Sequence, residues 1–189
     1  MLLSERRWQG ALSRRSLAVG LVLATLVASG CTVRPLYSDL GATTGALPSP
    51  AARLSSVSVR PESTRYGLEV RNHLIFLLNG GAAEPASPAY TLRLGVTSQI
   101  ATTAIIQQTT DSEPTARSVT LTSTYSLVDN ATGKIVAAGR RNISSSYDIP
   151  RQEFAALRAE RDAQNRAARE LAELLRHAVA LDLERLSAG

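Results

Sequence analysis

The sequence predicts an α+β domain of two layers, a mostly antiparallel four-stranded sheet with two helices on one face, in the order β-α-β-β-β-α. Three observations predict it. Apolar and polar residues alternate through Tyr90 to Val96, Val119 to Leu127 and Ile135 to Tyr147, the period of strands with one wet face. Val70, Leu74, Leu77 and Leu78 share one face at helical spacing. From Arg151 to Leu186 no proline or glycine occurs, so a helix of about 50 Å is expected at about 1.5 Å per residue.

The first strand is expected over Leu54 to Arg60, where Val57 and Val59 alternate with serines until Pro61 stops the run. Ser63 or Thr64 can cap the helix that follows, and Asn79-Gly80-Gly81 ends it. His73 on that helix reads as a partly exposed histidine. Ala82 to Pro88 is a loop. The second strand starts at Tyr90 and continues through Ile100 into Ile105, and Asp111 to Pro114 is expected to break the pattern. After the third strand, Asp129-Asn130-Ala131-Thr132-Gly133 supplies a turn, with Gly133 suited to a positive φ. The fourth strand runs from Lys134 to about Ser146. Asp148 and Pro150 open the last helix. Its stripe is Phe154, Leu157, Ala168, Leu171, Leu175 and Ala178. The half after Ala167 is expected to pack on the sheet, with Arg158 to Arg166 more exposed.

The amino-terminal segment has another logic. Arg6, Arg7, Arg14 and Arg15 precede an apolar run from Leu17 to Ala28, and small residues lead to Cys31, the only cysteine. These are the parts of a secretory leader. The run is too short to span a membrane, which takes about 20 apolar residues. Ala28-Ser29-Gly30-Cys31 resembles a bacterial lipobox, with Ala28 where Leu or Val is commoner. The resemblance implies a diacylglycerol on the Cys31 thiol and loss of residues 1–30. Two or more acyl chains would anchor the product stably. A plain signal peptide with an incidental cysteine is the alternative. Ser13-Arg14-Arg15-Ser16-Leu17 also looks a little like a twin-arginine export signal. Thr32 follows the cysteine, and the absence of aspartate there favours the outer membrane. Residues 31–52, with Gly41, Gly45, Pro48 and Pro50, read as a flexible tether; residues 53–189 form the single domain.

Charge excludes one class of partner. The whole chain has 21 basic and 16 acidic residues; without the leader's four arginines and Glu5, 17 and 15 remain. A net charge of about +2 gives no electrostatic footprint for nucleic acid. The two histidines stand far apart, and no metal-ligand spacing, phosphate loop or nucleophile elbow is present in the sequence. Neither catalysis nor a cofactor is implied.

Cys31-Thr32-Val33-Arg34-Pro35-Leu36-Tyr37 and the element order resemble the LPS-assembly lipoprotein family, LptE. Arg34, Pro35, Leu36 and Tyr37 match the family's start; Thr32 and Val33 depart from its glycine and aromatic. The resemblance implies a lipid-anchored protein on the periplasmic face of the outer membrane. Such a protein plugs the LptD β-barrel translocon, assists its assembly and contacts lipopolysaccharide. A phosphorylated lipid favours cationic partners, and the candidates are Arg93, Arg117, Lys134, Arg140 and Arg141, each of which also reads as ordinary solvated strand charge. The competing class is the auxiliary lipoprotein of a lipid-trafficking ABC system, which has a similar small domain on a tether. Mass spectrometry of the mature amino-terminal peptide is expected to find Cys31 acylated and first in the chain; an unmodified thiol contradicts the anchor.

Overall fold

A computed structural model describes residues 49–108 and 111–188, with side chains described for 49–103 and 115–188. Cys31, the leader and the Arg34 to Tyr37 motif lie outside the described residues. The elements are α1 (Pro50–Leu54), β1 (Val57–Val59), α2 (Arg65–Leu78), β2 (Tyr90–Gln108), β3 (Asp111–Asp129), β4 (Ile135–Asp148) and α3 (Glu153–Ala188).

The sheet has the order β1-β2-β3-β4. The three long strands are antiparallel neighbours, and β1 joins β2 in parallel, Val57 beside Tyr90 and Val59 beside Leu92. The class is the expected α+β one, with a mixed sheet. The parallel pair requires a crossover, which α2 supplies. Leu54, expected to begin a strand, instead ends α1, whose Ser49 side chain accepts the Ala52 amide at 3.1 Å.

Local chemistry sets the helix ends and the turn. Thr64 caps α2, its Oγ1 accepting from the Gly67 amide at 3.1 Å. Gly80 and Gly81 follow the helix with φ of 59° and 89°, a conformation that side chains resist. Asp129 Oδ1 accepts from the Ala131 amide at 2.7 Å, and Gly133 takes φ 69°. The β3 strand starts at Asp111, so the expected break at Asp111 to Pro114 does not occur. Pro114 pairs with Ile105 beside a register shift and beyond the end of β4, where a missing amide costs little.

The two longer helices, α2 and α3, cover one face. The core joins Val70, Leu74 and Leu78 of α2 to Leu92, Val96, Val119, Leu121 and Leu127 of the sheet. The contact stripe of α3 is largely alanine, with Ala163, Ala167, Ala168, Ala172 and Ala178 all buried beside Leu171 and Leu175. Small side chains let a long helix approach closely. The second half of α3 packs as expected. The start of the expected stripe does not: Phe154 and Leu157 are 83% and 48% exposed. Arg65, at the start of α2, reaches Gln164 and Asn165, so these first turns of α3 project past α2.

Among the polar ties between α3 and the sheet, one is fully buried. Tyr125 donates its hydroxyl to Asp182 Oδ2 at 2.8 Å in a buried contact, and Arg185 pairs with Asp182 Oδ1 at 2.9 Å. Burial, then the bond to Asp182, pushes the Tyr125 hydroxyl up to about 12. Gly139 makes room for the ring, since a Cβ there would lie 2.8 Å from three of its atoms.

Gly139→Ala is expected to destabilise the domain by about 1–3 kcal/mol through overpacking, read as a lower urea midpoint with unchanged slope. The raised hydroxyl means that the folded state holds this proton more tightly than the unfolded chain. Its contribution is full below about pH 10 and is lost as pH rises towards 12. Tyr125→Phe should remove that component of the alkaline decline, measured by denaturation between pH 9 and 12.

Candidate functional site

Strand parity divides the candidate cations between two faces. On β3 the residues Val119, Leu121, Ser123, Tyr125 and Leu127 point under the helices and are buried. Their neighbours of the other parity face away, onto a side that no described element covers. Arg93 lies in register with Ser126 and Ala138, and Arg140 with Thr124 and Gly95. Both arginines are exposed on the open face. Their backbones are about 12 Å apart, two strand spacings across and one two-residue step along. Lys134 is exposed at the β3–β4 turn. Arg93 and Arg140 thus form a basic pair on the open face, while Lys134 stands apart, about 20 Å along the chain direction of β4 from Arg140 and beyond the register shift at Leu127/Val128.

Arg117 and Arg141 belong to the other face and are half-buried. Arg117 lies beside Tyr147 and hydrogen-bonds its hydroxyl. Burial pushes that hydroxyl up, and Arg117 draws it back. Tyr147 also donates to Glu160 Oε2 at 3.3 Å. Arg141 is in register with buried Ser123 and donates to the Arg140 carbonyl at 2.8 Å. The structure brings two of the five candidates together on the open face, leaves Lys134 at the turn, and gives Arg117 and Arg141 intramolecular partners.

The open face is otherwise rich in hydroxyls, from Thr97, Thr120, Thr122, Thr124, Ser126 and Ser144. Several are tied across strands. Thr120 and Ser144 share a hydrogen bond of 2.7 Å, and Thr124 donates to the Gly95 carbonyl at 3.4 Å. A flat array of positioned hydroxyls with cations among them suits a polar, phosphorylated or carbonyl-bearing surface. The alternation made this face legible in the sequence. What alternation does not reveal is the Tyr125–Asp182 tie, because the two residues are 57 positions apart.

Among the described residues, no group of three or more His, Cys, Asp or Glu side chains is placed to hold a metal ion. His73 pairs with Glu69 at 3.2 Å, one turn away on α2. No helix among the described residues is long and apolar enough to cross a membrane.

Fold and face together define a two-layer α+β domain with one sheet surface that no described element covers. The comparisons give its family. The profile of the LptE family, described as lipopolysaccharide-assembly, matches residues 52–179, and the chain belongs to that family. It is accordingly a non-enzymatic assembly factor of the lipoprotein class, with a role in lipopolysaccharide assembly. A solved protein from Caulobacter crescentus, described as a lipoprotein, is 26% identical, with TM-score 0.58 over 70% of this chain and 93% of its own. The rare lipoprotein B of Shewanella oneidensis shares the fold at 16% identity, with TM-score 0.52 over 69% of this chain and 96% of its own. No curated protein matches this chain in sequence.

The division of the arginines by face carries a stability prediction. Arg93→Ala and Arg140→Ala should each stay within about 0.5 kcal/mol of the parent, as exposed substitutions do. Arg117→Ala should cost about 1 kcal/mol by removing a hydrogen bond to Tyr147. Chemical denaturation of the three variants distinguishes them.

Proposed function

We propose that this chain is an outer-membrane lipoprotein, held on the periplasmic side through acylated Cys31. It fills the lumen of the LptD β-barrel, assists assembly of that barrel, and contacts lipopolysaccharide on its way to the outer leaflet. The observation that carries this reading is the sheet face left uncovered among the described residues, with Arg93 and Arg140 on it and Lys134 exposed at its turn. A large barrel encloses a polar lumen, and rows of threonine and serine can exchange hydrogen bonds with such a wall without burying charge. These three residues supply cations for lipid phosphates, whose charge-assisted hydrogen bonds are roughly twice as strong as neutral ones. The work done is steric filling and exchange of contacts, without turnover. Arg117 and Arg141, engaged under the helices, serve the fold, and their outward reach to the lipid is secondary.

The test is binding of purified lipopolysaccharide to the lipidated protein. Arg93→Glu combined with Lys134→Glu should weaken binding by about tenfold, corresponding to about 1.4 kcal/mol, with the denaturation midpoint retained. Unchanged affinity removes Arg93 and Lys134 from the mechanism.

A further inference from the structure

Free sheet edges carry unpaired backbone groups, and a protein normally blocks them. Here the outer edges are blocked by charged side chains. At β1, the Val59 amide donates to Glu84 Oε1 at 2.7 Å, and the Val59 carbonyl accepts from Arg71 Nε at 3.0 Å. Arg71 and Glu84 pair with each other at 2.8 Å. At β4, Arg141 occupies the Arg140 carbonyl at 2.8 Å and Arg166 the Ser146 carbonyl at 3.0 Å.

One stretch lacks such a guard. β1 covers β2 only from Tyr90 to Leu92, and the Arg60 amide takes the Leu92 carbonyl at 2.9 Å. That bond, with the one from the Tyr90 amide to Ser56, shows which β2 residues aim their backbone groups at the β1 side. Strand alternation then turns those of Leu94, Val96, Ser98 and Ile100 outward. Among the described residues no strand or side chain occupies them. The same residues point their side chains to the helix side, where Ile100 is 45% exposed. Leu68, also exposed, lies one turn before Arg71 on the same flank of α2. An added strand would therefore find an apolar shelf on that side. On the open face the register continues to place Arg60 opposite Arg93. Both are exposed, and among the described residues neither forms an ion pair. Like charges directly opposed across strands are unfavourable.

We propose that the β2 edge from Leu94 to Ile100 docks an extended strand from a partner polypeptide, one that alternates apolar residues with polar ones and carries a carboxylate to meet Arg60 and Arg93. A second copy paired antiparallel would bring its own Arg60 and Arg93 to the Ile100 end and leave this arginine pair unmatched, so the charge favours an acidic partner. This inference concerns the edge of the sheet and does not rest on lipid binding at the open face.

The test uses the full, lipidated chain in detergent and a synthetic peptide alternating valine with glutamate and threonine. The peptide should slow hydrogen exchange at the Leu94, Val96 and Ser98 amides. A version with arginine for glutamate should bind at least fivefold more weakly. Ser98→Pro removes an outward amide while keeping the β3 pairing, and should abolish the protection with circular dichroism unchanged. If that variant fails to fold, Ser98→Lys, which puts a charge on the shelf, should do the same. The proposal is overturned if the acidic peptide gives no protection or protects β4 equally. Amides already protected without peptide, or a self-association that Ser98→Pro dissolves, also overturn it, by assigning the edge to this chain itself or to a second copy.

Discussion

The close seat of α3 on the sheet governs the rest of the structure. A helix of 36 residues, about 54 Å at 1.5 Å per residue, contacts the core through a strip made mostly of alanine. Alanine combines the best helix propensity with the least bulk, so the same residues extend the helix and permit its approach. An alanine strip alone fixes position poorly, because it offers few knobs to set the register. The Tyr125–Asp182 bond supplies that definition, with Gly139 giving the ring its space. A buried hydrogen bond to a carboxylate is costly to leave half-made, and sliding α3 by one turn would break this one.

That seat makes the molecule one-sided. With α2 and α3 on the same face, the other surface of the sheet is left uncovered among the described residues. Threonine and serine suit such a face: β-branched threonine favours strands, and hydroxyls keep it wettable. Arg93 on β2 and Arg140 on β4 lie on that face with β3 between them. This geometry fits a family in lipopolysaccharide assembly.

Much of this architecture was legible in the sequence. Alternation from Tyr90 to Val96 and from Val119 to Leu127 gave two long strands and the identity of their buried faces. Thr64 and Asn79-Gly80-Gly81 bounded α2, and Gly133 took its turn. The failures have physical causes. Pro114 looked like a breaker because a sequence does not show that β4 has already ended and a register shift lies beside it. Phe154 and Leu157 have core spacing but sit on turns of α3 that outrun α2. The parallel pairing of β1 was invisible because Val57 meets Tyr90 across a whole helix. For the candidate cations, parity told Arg93 from Arg117 in principle, yet only the three-dimensional packing showed that Arg141 turns back onto its own strand edge.

The central claim is that a one-sided, lipid-anchored domain works as the companion of an envelope barrel. The most direct measurement is the composition of the complex isolated through a tag on the lipidated chain from detergent-solubilised membranes. The account predicts the LptD barrel in an equimolar amount. Recovery of the chain alone, or with a transporter subunit in place of the barrel, would contradict it.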